Sequence, residues 1–153
     1  MKNLDFGARK FNQKSYNEND NFAKDKFINF IKKRWHKIIN SNEEFSHDII
    51  TEKKGVLFFF EVEVKRNYPF TTRDTYIFDT VSFLGRKKKL HYKNPFYYII
   101  ICKETEWAVC CESKKIFIDN YIENLNINTS DRNGKDQMFR VPKEKCLFFD
   151  INL

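Results

Sequence analysis

Glycine and alanine are scarce in this chain, and no stretch stays apolar for long. Only 4 of the 153 residues are glycine. The longest apolar run, Phe96 to Cys102, is far too short to span a bilayer as a helix. The N-terminus is polar and lacks the apolar core of a secretory leader. The four cysteines include no C-x-x-C pair, and the adjacent Cys110 and Cys111 are awkward for a structural bridge. His36, His47 and His91 have no zinc-ligand spacing. There is no internal repeat and no linker. These absences exclude a membrane helix, a disulfide scaffold, a zinc module and a repeat array. The expectation is a cytoplasmic protein with buried, reduced thiols and no membrane partner, in which the sequon at Asn128 is fortuitous.

Aromatic and basic residues are abundant. Aromatics make up 17% of the chain, with 17 phenylalanines. Apolar residues reach 41%, too many for a disordered chain despite 32% charged residues. Richness in Phe, Lys, Asn and Ile with few Ala and Gly is the signature of an AT-rich coding sequence, common in low-GC bacteria and their phages. The formal net charge is +7. That excess favours a polyanionic partner, with nucleic acid ahead of a membrane surface.

The patterning predicts one α+β domain over residues 20–153 behind a loose polar arm, 1–19. Asp20 or Asn21 can cap a helix running to about Asn40, with Ala23, Phe27, Phe30, Ile31, Trp35 and Ile38 as its apolar stripe. A meander of strands follows: about 45–51, 56–65, 79–84, 96–102, 107–111, 138–141 and 146–151. A basic turn at 85–89 and a polar loop at 119–137 separate them. Asp131 to Asp136 fails as a calcium loop, because Lys135 falls where a ligand is needed.

One strand is chemically odd. Phe58-Phe59-Phe60-Glu61-Val62-Glu63-Val64-Lys65 sends alternate side chains to opposite faces. Glu61, Glu63 and Lys65 therefore share a face with Phe59, and two carboxylates are costly to bury there unless they pair or hold a cation. The plain alternative is a row of cross-strand ion pairs on a solvated face. Against it, Leu57 and Phe59 make the same face apolar at its start.

Asp48, a hairpin, then Glu63-Val64-Lys65 resembles the PD-(D/E)xK nuclease superfamily, in which an amphipathic helix precedes a strand bearing Asp and the next strand bears (Asp/Glu)-x-Lys. The resemblance covers roughly residues 20–112, with His47 in place of the proline of the family name. It implies a restriction-endonuclease-like core with a mixed, mostly meandering sheet, and a DNA nuclease dependent on Mg²⁺ or Mn²⁺. Asp48, Glu63 and the carbonyl of Val64 would be the metal ligands, Lys65 the base or charge stabiliser and Glu61 an accessory acid. Arg66, Arg73, Arg86, Lys87 and Lys88 are candidate nucleic-acid contacts. Many such nucleases act as dimers. The rival expectation is a non-catalytic nucleic-acid-binding or packaged phage protein of similar fold. The hairpin decides whether Asp48 joins the site. Pairing with an odd residue sum, such as Glu52 with Gly55, puts Asp48 on the face of Glu61 and Glu63; an even sum, such as Glu52 with Val56, puts it on the other.

Overall fold

A hairpin with one glycine at its tip organises the molecule. The computed structural model describes residues 13–41, 47–125 and 136–153. Strands β1 (Lys37–Asn40), β2 (Ile49–Lys53) and β3 (Val56–Lys65) form an antiparallel meander. Glu52 faces Leu57 and Lys53 faces Val56, so the turn is just Lys54-Gly55, both at positive φ (53° and 78°). Two consecutive left-handed residues are what a tight hairpin turn requires, and Gly55 accepts that conformation without strain. The residue sum is odd.

Strands β4 (Thr80–Leu84), β5 (Tyr97–Cys102), β6 (Trp107–Glu112), β7 (Ile122–Leu125), β8 (Asp136–Pro142) and β9 (Leu147–Asp150) complete two sheets. The larger has six strands in the order β1-β2-β3-β5-β6-β9; the smaller has three, β4-β8-β7. Among the described residues only one pairing is parallel, β3 with β5. The chain reaches it by a crossover that contains β4 and a short helix. The expected single meander is thus replaced by two sheets, because the segment around 80–84 pairs with the distant β8 rather than with its neighbours in sequence.

Each face of the large sheet has its own cover. Helix α1 (Gln13–Lys32) sets Ala23, Phe27 and Ile31 against Phe60, Val62, Ile99 and Ile101. The opposite face meets the small sheet, where Phe83, Phe139, Val81 and Val141 pack on Tyr98, Ile100 and Val109. The alternation of β3 explains the division: Phe60 and Val62 turn to the helix, whereas Phe59 belongs to the core between the sheets.

Helix α1 departs from the expected span at both ends. It begins at Gln13, inside the segment read as an arm, and residues 1–12 lie outside the described ones. It stops at Lys32, and Lys37–Asn40 is a strand. Trp35 takes φ 70°, with its N–H bonded to the carbonyl of Lys32 and the His36 N–H to that of Ile31. This is a Schellman cap, with tryptophan where glycine is usual. Trp35 accordingly leaves the apolar stripe and stands 85% exposed. The basic turn also differs: Gly85–Lys87 is one 3-10 turn, and Lys88–Lys93 forms helix α2. The strand expected at 45–51 is observed from Ile49; residues 42–46 lie outside the described ones, as do 126–135 within the expected polar loop. No helix among the described residues is long and apolar enough to cross a membrane.

Candidate functional site

The odd register sets Asp48 opposite Glu61, one step beyond the last ladder pair, Ile49 with Phe60. The two residues then lock together reciprocally. The Asp48 N–H donates to Glu61 Oε2 at 2.7 Å, and the Val62 N–H donates to Asp48 Oδ2 at 3.0 Å. Both side chains are buried, Glu61 to 1% exposure and Asp48 to 7%. Carboxylates this deep need a cation, and Lys87 provides it. Its Nζ lies 2.6 Å from Glu61 Oε1.

Lys87 reaches Glu61 because the chain turns sharply at Gly85. A Cβ at Gly85 would stand 2.6 Å from the Gln137 carbonyl oxygen and 2.7 Å from the Gln137 Cβ. Glycine alone lets the turn press against β8, and that approach delivers Lys87 to the carboxylates.

Glu63 completes the row and is held differently. Tyr98, fully buried on the adjacent β5, donates its hydroxyl to Glu63 Oε1 and accepts the Leu84 N–H at 3.4 Å. Asp48, Glu61 and Glu63 all line one cavity of about 500 Å³. Arg66, Arg86 and Lys87 line the same cavity, so with Asp20 it carries four acids and three bases. Asn19 and Asp20 close it from α1.

The electrostatics follow from burial and crowding. Burial, then the neighbouring Glu61 charge, pushes the Asp48 carboxyl up to about 6. Burial raises Glu61 as well, against the pull of Lys87. Burial disfavours the Lys87 ammonium, but the charges of Glu61 and Asp48 outweigh it and raise its pKa. Tyr98 is raised by burial and by Glu63, so its hydroxyl stays a donor.

The sequence-derived candidates divide between this cavity and other places. Asp48, Glu61, Glu63, Val64, Arg66, Arg86 and Lys87 line it. Lys65 does not. Its Nζ lies 5.3 Å and 5.5 Å from the ring centres of Tyr76 and Phe78, in an adjoining cavity, and burial lowers its pKa. Arg73 donates to the Cys146 carbonyl at 3.1 Å, and Lys88 stands 3.9 Å from exposed Asp119. His47 packs between Phe59 and Phe96 with Nε2 3.1 Å from the Asn94 carbonyl. Lys87 as the buried partner of Glu61, and Tyr98 as the holder of Glu63, escaped the sequence reading. The available signal was Glu61 itself: a carboxylate on a strand this apolar requires a cation from elsewhere in the chain. All four cysteines are unbridged, as expected.

A hard divalent ion suits the chemistry of the three carboxylates, which offer oxygen donors and surplus negative charge. Their present geometry is not a coordination shell. Among the described residues, no three His, Cys, Asp or Glu side chains are grouped to hold a metal ion, and Lys87 supplies the positive charge. Comparisons of the chain with protein-family models, with curated proteins and with solved structures find no match.

Proposed function

We propose that this chain is a metal-dependent nuclease of the PD-(D/E)xK type, hydrolysing phosphodiester bonds, with DNA the preferred substrate over RNA. One observation carries the reading: the hairpin register sets Asp48 against Glu61 on the strand face that also bears Glu63, and all three open on a cavity with Arg66, Arg86 and Lys87. Acids beside bases in one cleft suit a substrate that is an anion and a reaction that builds up more negative charge.

Asp48 and Glu63, with the Val64 carbonyl, are the residues that would hold Mg²⁺ or Mn²⁺; when bound, the ion supplies charge neutralisation at the phosphoryl oxygen. The remaining work belongs to the chain. Arg66 and Arg86 orient the phosphate at the cavity wall. Lys87, kept as an ammonium by Glu61, stabilises charge developing on the scissile group. Glu61 positions Lys87 and fixes the backbone of Asp48. The Asp48 carboxyl ionises near pH 6, so cleavage is expected to rise as pH passes through that range.

A second reading has its own observation. Lys65 turns into the neighbouring cavity and no three acids form a metal shell among the described residues, which suits a protein that binds nucleic acid without cutting it. Incubation with plasmid and single-stranded DNA, with Mg²⁺ or Mn²⁺ and with EDTA, separates the two. Metal-dependent nicking is expected, falling about 10²–10³-fold in Glu63→Gln with DNA binding retained. Binding without cleavage under every metal condition would establish the second reading instead.

A further inference from the structure

The cavity that receives Lys65 differs in character from the carboxylate cavity beside it. It measures about 590 Å³, within the ordinary range of small-ligand sites. Its cations are Lys65, Arg66 and Arg140, the last ion-paired with Glu123, and no acid among the described residues lines it. Its aromatic wall is Tyr68, Tyr76 and Phe78, with Phe78 meeting Tyr68 edge-on at 5.1 Å and Tyr76 at 5.8 Å. Tyr76 is buried, whereas Tyr68 and Phe78 are 59% and 39% exposed. Tyr68 also holds φ 55°, a left-handed conformation unusual for a bulky residue. Exposed rings on a strained loop, set against a half-buried ammonium, are a poor solution for packing alone. They are a good one for a planar, anionic guest.

We propose that this second cavity binds one nucleotide of a nucleic-acid strand, its base stacked on the face of Tyr68 with Phe78 against its edge, and its phosphate held by Lys65, Arg66 and Arg140. The proposal rests on the reading above only for the identity of the polymer. The two cavities share Val64 and Arg66, so a nucleotide seated here is next to the one presented to Asp48 and Glu63. A splayed base requires a single strand, a strand end or an unstacked nucleotide, and stacking tolerates any base identity because every base has a π-face. Thr80 and Ser82 on β4 add hydroxyls to the cavity wall, where they can meet a base edge. Lys65 of the E-x-K strand therefore serves as a substrate contact in the second cavity.

The test is calorimetric titration in EDTA, which isolates binding from cleavage, with AMP, ribose 5-phosphate and inorganic phosphate as probes. AMP is expected to bind about 5- to 150-fold more tightly than ribose 5-phosphate, the increment of one stacked base. Tyr68→Ala and Phe78→Ala should remove that advantage and leave ribose 5-phosphate affinity unchanged. Phe78→Trp should keep it, and Lys65→Gln should weaken all three probes. The exposure of Tyr68 and Phe78 makes their variants fold; matching melting curves check this. Equal affinity for AMP and ribose 5-phosphate, absence of AMP binding at millimolar concentration, or full retention of the advantage in both alanine variants would overturn the proposal. Failure of the nuclease reading looks different: no cleavage, with the AMP advantage intact.

Discussion

Lys87→Met is expected to lower the melting temperature by about 10 °C at pH 7.5. The substitution keeps the length and apolar bulk of the side chain, so it tests the charge. Glu61 is 1% exposed and sits against Asp48, and Lys87 is its only cation among the described residues. Removing one member of a buried pair typically costs about 3–5 kcal/mol, and each kcal/mol moves the midpoint about 2–4 °C in a chain of this size. The pH dependence identifies the cause. Without Lys87 the carboxyl pKa values rise further, so protons replace the missing cation as pH falls. The deficit should be largest at pH 7–8 and shrink towards pH 5. Lys88→Met is the control: its partner Asp119 is exposed at 3.9 Å, and such pairs contribute less than about 1 kcal/mol. Thermal melts of both variants at three pH values read the result. An equal, pH-independent loss in both would show that Lys87 acts through packing. On the hydrolytic reading, Mg²⁺ added to Lys87→Met should recover part of the lost stability by occupying the same carboxylates.

Asp48→Asn should make the protein more stable and its chemistry far weaker. The sign follows from the direction of the shift. The Asp48 carboxyl ionises near 3.8 when unfolded and about 6 when folded, so between those values the folded state holds a proton that the unfolded state has released. Stability therefore falls as pH rises from about 4 to about 6, and the penalty is fully present at neutrality. Asparagine is neutral at every pH and can still accept the Val62 N–H. The variant is expected to match the parent near pH 3.5 and to melt about 4–8 °C higher at pH 7.5, on a gain of about 2 kcal/mol. DNA cleavage should fall by about 10²–10³-fold in the same preparation. Gain of stability with loss of activity is the mark of a residue kept for chemistry at the expense of folding. A drop in melting temperature at pH 7.5 would show that Asp48 is held mainly as a structural acceptor.

What the sequence disclosed, and what it hid, follows the range of each interaction. The alternation of Phe59, Glu61 and Glu63 against Phe60 and Val62 is local, and it placed the acids on one face correctly. The hairpin was legible only as a parity, because Glu52-Lys53-Lys54-Gly55-Val56 can close in more than one register; the left-handed pair Lys54-Gly55 settles it. The end of α1 was hidden, since its cap uses Trp35 in a conformation that glycine or asparagine usually signals. The small sheet was hidden too. It joins Thr80 to Pro142 across the fold, and nothing in either segment announces its partner. The exchange of lysines has the same origin. Periodicity assigns Lys65 a face, but which groups come to rest on that face is decided by a distant sheet and by the close approach at Gly85.

The parallel pairing of β3 with β5 also predicts an order of events during folding. Asp48 and Glu61 lie 13 residues apart and meet when a single hairpin closes, whereas Lys87 lies 26 residues from Glu61 and arrives on the crossover that the parallel pair demands. Hairpins close in about 1–10 μs, and non-local pairings follow later. The chain thus gathers its negative charges before the cation that neutralises them, a built-in frustration of the early landscape. Protons relieve it, so the nascent hairpin is expected to be better tolerated in mild acid than at neutrality, and the slow step is expected to be the search for the turn that carries Lys87 to Glu61.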